Sequence, residues 1–152
     1  MSPNVNWESL FGIGNSLAMA GWLALILLPR WPWLLAGLRY GLLTLLALAY
    51  VSLILGYFFQ VEGGGFDSIT AVRALFASDP VLLAGWLHYL AFDLFVGLWI
   101  AERATQINLH RILQAPILGA TFMFGPLGLL LGYAMMGARG TPRQRDAGSL
   151  GS

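Results

Sequence analysis

His88 and Asp93 are the residues from which chemistry would start. Both lie within Pro80–Arg103, P-V-L-L-A-G-W-L-H-Y-L-A-F-D-L-F-V-G-L-W-I-A-E-R, a stretch that is otherwise almost wholly apolar. A helix rising about 1.5 Å per residue needs roughly 20 apolar residues to cross hydrocarbon, so the stretch reads as a membrane span. An ionisable group at its middle costs about 2.5–3.5 kcal/mol on insertion scales, and such groups face protein or a wet cavity. A neutral imidazole is the usual general base and a protonated carboxyl a competent donor, so acid/base chemistry inside a bilayer is the reaction type these residues suit. The bland alternatives are an interhelical hydrogen bond for His88 and a packing ion pair for Asp93.

Spacing limits how the two can cooperate. Five residues place them about 140° apart around a helix, so they do not form one hydrogen-bonded dyad. Tyr89 and Trp86, four and seven residues before Asp93, share its face.

Residue counts along each span predict two polar levels. His88 lies about 12 Å from one end of its span, with Asn15 of the first span and Tyr50 of the second at similar depth. Asp93 lies about 12 Å from the opposite end, nearest in height to Arg39 and Thr121. Arg39–Asp93 is the preferred buried pair and Arg39–Glu102 the interfacial alternative; Arg39 also reads as a snorkelling side chain. The candidate site is therefore His88 and Asp93 as catalytic groups, with Asn15, Arg39, Tyr50, Trp86, Tyr89 and Thr121 as substrate contacts and no metal.

The elements that position these residues are helices. The expected fold is all-α, a four-transmembrane-helix bundle over residues 1–138, followed by a polar tail over 139–152 whose end, Ala147–Ser152, reads as an appended remnant. The spans are Ser9–Leu28, Leu34–Phe59, Pro80–Arg103 and Pro116–Gly137. Gly14, Ala18 and Gly21 form a small-residue face on the first, which lets another helix approach closely. Trp31-Pro32-Trp33 makes a short interfacial hairpin to the second. Gly63-Gly64-Gly65 breaks the chain, and Ile69, Val72, Leu75 and Phe76 predict a short amphipathic helix over Asp67–Ala77. In the fourth span Gly125-Pro126 predicts a kink. Gly128 and Gly132 form a GxxxG pair, for internal packing or, as the alternative, a homo-oligomer contact.

Composition narrows the class. Of 152 residues, 58% are hydrophobic and 10% charged, against roughly 25% charged in soluble domains, which predicts a multi-pass membrane protein, expected in a bacterial inner membrane. All eight basic residues are Arg and the net charge is +1, no footprint for nucleic acid. Cysteine is absent, which excludes disulfides, thiolate catalysis and Cys-ligated metals. Met1–Glu8 lacks the basic region of a signal peptide. With four spans both termini fall on one side, Arg residues divide four against four, and orientation stays open.

Gly85–Ile100, G-W-L-H-Y-L-A-F-D-L-F-V-G-L-W-I, followed by F-G-P-L-G at Phe124–Gly128, resembles the abscisic-acid-deficient-four-like family of small integral membrane proteins. The resemblance takes in Asn15 and Phe66–Phe76 and covers about Phe11–Tyr133. Trp86, His88, Asp93, Leu94, Phe95, Gly125 and Pro126 are the positions matching the family pattern. An Arg that the pattern often carries after D-L-F is replaced here by Gly97-Leu98. The family's plant member is associated with forming neoxanthin from violaxanthin. The resemblance thus implies redox-neutral isomerisation of a carotenoid or related isoprenoid, with no cofactor, and with membrane lipids and a hydrophobic isoprenoid as partners. Asp93, or a tyrosine beside it, would be the acid and His88 the base. The alternative is a non-catalytic membrane partner that binds such a lipid or presents it to another enzyme.

Overall fold

The computed structural model describes residues 5–139, and all regular structure in it is helical. Helix α1 runs Trp7–Leu27, capped by the Asn6 side chain, which accepts from the Ser9 N–H at 3.0 Å. Helix α2 runs Pro32–Gln60 and includes a π-helical segment at Gly37–Leu43. Helix α3 is short, Ile69–Phe76; α4 runs Asp79–Gln106; α5 is Arg111–Met123; α6 is Gly125–Arg139. Three of these, α1, α2 and α4, are long and apolar enough to cross a membrane.

Helix α4 is the axis of the molecule, packing against every other helix. Between helices in lipid the hydrophobic effect contributes little, and close backbone approach matters more. The small-residue face of α1 is used in this way. Gly14, Ala18 and Gly21 are all buried, with Leu87 of α4 over Gly14 and Leu42 of α2 over Gly21. From the other side Trp22 packs against Gly97 of α4, where a Cβ would overlap its ring. Trp22, Leu25, Leu38, Leu94, Leu98 and Leu118 centre the larger core cluster.

The Trp31–Trp33 hairpin forms as expected, its indoles stacked at 5.3 Å, exposed, and joining α1 to an antiparallel α2. The amphipathic helix in the long loop is also present. Ser68 caps it by accepting from the Ala71 N–H at 3.1 Å, and Ala71 and Leu75 form its buried side. Gly63 takes a left-handed φ of 66° that only glycine adopts without strain, which turns the chain out of α2.

The expected fourth span over Pro116–Gly137 is not a single helix. The chain reverses at one residue, Phe124 (φ −148°, ψ 72°), between α5 and α6. Thr121 of α5 and Gly128 of α6 are in contact, although in a straight helix seven residues would separate them by about 10 Å. Phe122 packs on Trp22, Gly125 on Asp93, Gly132 on Ile100 and Tyr133 on Trp99. Helix α5 therefore climbs from the far end of α4 to its midpoint, and α6 returns beside it. Gly125-Pro126 produces a hairpin, not a kink, because glycine admits the carboxylate of Asp93 at the turn. Pro126 suits the first turn of α6, where its missing N–H costs nothing. Gly128 is used within the hairpin and Gly132 against α4, so both belong to internal packing.

This hairpin changes the topology. The start of α1 and the last turns of α6 lie toward opposite ends of α4. Arg30, Arg39, Arg103, Arg111 and position 139 then share one end with Glu102, whereas Glu8, Glu62, Asp67, Arg73 and Asp79 share the other. The even division of Arg expected from four spans is removed. The polar tail beyond 139 lies outside the described residues.

Candidate functional site

Asp93 sits midway along α4, 7% exposed, with the tip of the α5–α6 hairpin against it. Helix α6 begins at this point. Its first N–H groups have no partner within the helix and its dipole is positive at that end, so a carboxyl group is well placed there. Residue 125 must be glycine for this approach, since a Cβ would fall on Asp93 Oδ1. Gly125 at the hairpin tip lies against the Asp93 carboxyl, and Tyr89, one turn before Asp93 on α4, is on the same face. Its Oδ2 is buried without a hydrogen-bond partner among the described residues.

The Tyr89 hydroxyl donates to the carbonyl of Met123 at 2.9 Å, satisfying one acceptor left open where α5 ends. Tyr89 stacks on Trp86 at 5.3 Å, and the Trp86 indole N–H donates to Asn15 Oδ1 at 2.7 Å. Phe11 packs on the other side of Trp86 at 5.5 Å. Asn15, Trp86, Tyr89 and Asp93 thus form one polar and aromatic line down the α1-facing side of α4. Only Asp93 in that line is buried; Trp86 is 37% exposed.

The hairpin reaches only halfway along α4; beyond its tip this face is met by α1, through Asn15 and Phe11 against Trp86. Leu82, Trp86 and, at the hairpin tip, Met123 and Phe124 are exposed. At the N-terminal end of α4 a cavity of about 520 Å³ is lined by Trp7, Glu8, Phe11, Asp79 and Leu82.

His88 lies elsewhere. Its ring stacks on Phe92 at 4.4 Å and faces Tyr50 at 5.3 Å, bordering a cavity of about 280 Å³ beneath α3 with Phe66, Phe76 and Gly85. His88 and Tyr50 share a level as the depth estimate predicted. Asn15 does not join them, because it is on α1 and bonds Trp86 instead. The 140° separation of His88 from Asp93 is realised: His88 borders the cavity under α3, and Asp93 faces the α5–α6 turn.

Arg39 is also corrected. Its guanidinium pairs with Glu102 at 2.7 Å, both about a third exposed, so the interfacial alternative holds and the preferred pair with Asp93 does not form. The π-helical segment that carries Arg39 lies at the membrane end of α2, two turns from the depth of Asp93. Thr121 is fully buried, its hydroxyl donating to the Ile117 carbonyl at 2.8 Å and its backbone against Gly128. It belongs to the hairpin's packing. Gly125 and the Met123 carbonyl are site elements that the depth reasoning missed. The Gly125-Pro126 dipeptide was the available signal, but a kink and a full reversal read alike in sequence.

Fold and site together define an all-helical protein with three helices long and apolar enough to cross a membrane and a half-length helix pair whose turn brings a helix N-terminus to a buried acid. The family model ABA4-like (ABA DEFICIENT 4-like) matches residues 9–131, and the chain belongs to this family. Neither the curated proteins nor the solved structures contain a match to the chain.

Proposed function

We propose that this chain is an intramembrane isomerase acting on an isoprenoid epoxide of the carotenoid type, with Asp93 as its acid/base group. The observation that carries the reading is Asp93 itself, a buried carboxyl with one oxygen unpartnered among the described residues, midway along a helix long and apolar enough to cross a membrane. Family membership supplies the substrate class by likeness, and the aromatic walls at Phe11 and Trp86 suit a polyene or its end ring.

The reaction balances without a cofactor. The protonated carboxyl gives its proton to the epoxide oxygen as the C–O bond breaks, leaving an alcohol and a cation delocalised into the polyene. The carboxylate so formed removes a proton from the neighbouring carbon, and that C–H electron pair closes the new double bond of an allene. One group donates and recovers one proton, so His88 is not required to reach the same substrate. Tyr89, anchored to Met123, orients the acid, and the N-terminus of α6 stabilises the carboxylate during its brief existence.

The test is conversion of a carotenoid 5,6-epoxide by membranes carrying the chain, followed chromatographically. The expected result is a product isomer of unchanged mass, lost with Asp93→Asn. Retention of substrate without conversion would assign the chain to the alternative role of a lipid-presenting partner. Conversion undiminished in Asp93→Asn would remove Asp93 from the chemistry.

A further inference from the structure

Arg30 and Arg111 lie at the end of the molecule that carries Glu102 and the Trp31–Trp33 turn. Arg30 Nη1 donates to the Ala101 carbonyl at 2.9 Å and to Thr105 Oγ1 at 3.0 Å, which ties the α1–α2 hairpin to the last turns of α4. Arg111 Nη2 donates to the Ile26 and Leu28 carbonyls at 3.0 and 2.5 Å, closing the C-terminal end of α1. Each guanidinium is thereby fixed in place by a single terminal nitrogen. Each pairs with main-chain carbonyls or a hydroxyl and not with a carboxylate.

The one carboxylate of a described residue at this end, Glu102, is engaged by Arg39 at 2.7 Å. Arg111 reaches the Leu28 carbonyl two residues before Arg30, so the two guanidinium groups are neighbours with no counter-charge among the described residues. Burial, with the repulsion of Arg111 beside it, lowers the Arg30 pKa to about 10. A fixed pair of guanidinium forks is the arrangement that planar or tetrahedral oxyanions satisfy. The stacked, exposed indoles of Trp31 and Trp33 follow directly in the chain and mark headgroup depth.

We propose that Arg30 and Arg111 form a binding site for a phosphate oxyanion at the membrane interface, presented by an anionic phospholipid headgroup or by free phosphate. The oxyanion bridges the two guanidinium groups, while the acyl chains of a lipid would lie beside Trp31 and Trp33. The site is separate from Asp93 and independent of any reaction there.

The experiment uses the full chain in nanodiscs of phosphatidylcholine, of phosphatidylcholine with phosphatidylglycerol, and of phosphatidylcholine with added inorganic phosphate. Lipid retained by the protein is counted by native mass spectrometry, and the thermal midpoint is read in parallel. Phosphatidylglycerol is expected to be enriched about fivefold over its share of the bilayer, with Arg30→Gln abolishing the enrichment. Arg103→Gln, which removes an equal charge from the same end at an exposed residue bonded to Gln106, should leave it intact. Arg30→Lys keeps the charge and loses the planar fork, so it should retain less than half of the enrichment even where the fold is fully kept. A midpoint raised by inorganic phosphate alone, and not by phosphatidylglycerol, assigns the site to the free ion. Equal loss in Arg103→Gln and Arg30→Gln, or no effect of either anion on the native chain, overturns the proposal.

Discussion

A Cβ on residue 125 would occupy the position of Asp93 Oδ1. Glycine at the start of α6 is therefore the condition for the hairpin tip to reach the buried carboxyl, and the two residues define the site jointly. Replacing Gly125 with Ala forces either the acid or the helix to move. Overpacking of this kind costs about 1–3 kcal/mol. Gly125→Ala should melt well below the native chain in detergent, whereas Gly119→Ala, where a Cβ meets no atom within 4 Å, should melt at or above it. Equal melting of the two variants would mean that the tip does not touch Asp93.

The reading of Asp93 as the acid/base group separates it from the other titratable residue on its helix. Asp93→Asn should lower isomer formation by about 100- to 10,000-fold, the range in which a positioned proton-transfer group contributes. His88→Ala should retain at least half of the activity, because His88 faces Tyr50 and the cavity under α3. Tyr89→Phe should fall between them. Loss of turnover in His88→Ala, with native retention of substrate, would return the base to His88.

Arg39 and Glu102 hold α2 to α4 at the membrane end, both partly exposed. An ion pair in that setting contributes about 0.2–1 kcal/mol and weakens with salt. A double-mutant cycle with Arg39→Gln and Glu102→Gln should return a coupling in that range, smaller at high ionic strength. A coupling of several kcal/mol would place the pair in a far drier setting than its exposure indicates.

The α5–α6 hairpin gathers Arg30, Arg39, Arg103, Arg111 and position 139 at one end of the molecule, leaving Arg73 at the other among the described residues. Short loops rich in Arg are retained in the cytoplasm. A fluorescent protein fused to the C-terminus should therefore fluoresce in a bacterial host, and an alkaline phosphatase fused there should stay inactive. The opposite pair of outcomes would reverse the orientation.

The sequence alone makes much of this architecture legible. Long apolar runs mark α1, α2 and α4, the glycine triplet and Ser68 mark the start of α3, and the spacing of Gly14, Ala18 and Gly21 identifies the face that α4 approaches. These are local patterns with one physical solution. Depth counting also brought His88 and Tyr50 together correctly. It failed for Arg39, because height along a span says nothing of which neighbour a long side chain will reach, and Glu102 was nearer to water. It failed most for Pro116–Gly137. A 22-residue apolar stretch reads as one crossing when length is the criterion, and the reversal depends on a contact between Gly125 and Asp93 that lies 32 positions away in sequence.

Everything said of the site depends on α5 and α6 turning back at Phe124 instead of crossing. The chain has no cysteine, so single cysteines report sidedness cleanly. Glu62→Cys, Gln106→Cys and Gly137→Cys, all at exposed positions, can be labelled with a membrane-impermeant maleimide in right-side-out and inverted vesicles. The hairpin predicts that Cys at 137 reacts in the same vesicles as Cys at 106 and opposite to Cys at 62. Reaction of the cysteines at 137 and 62 from the same side would restore a fourth crossing and remove the helix tip from Asp93.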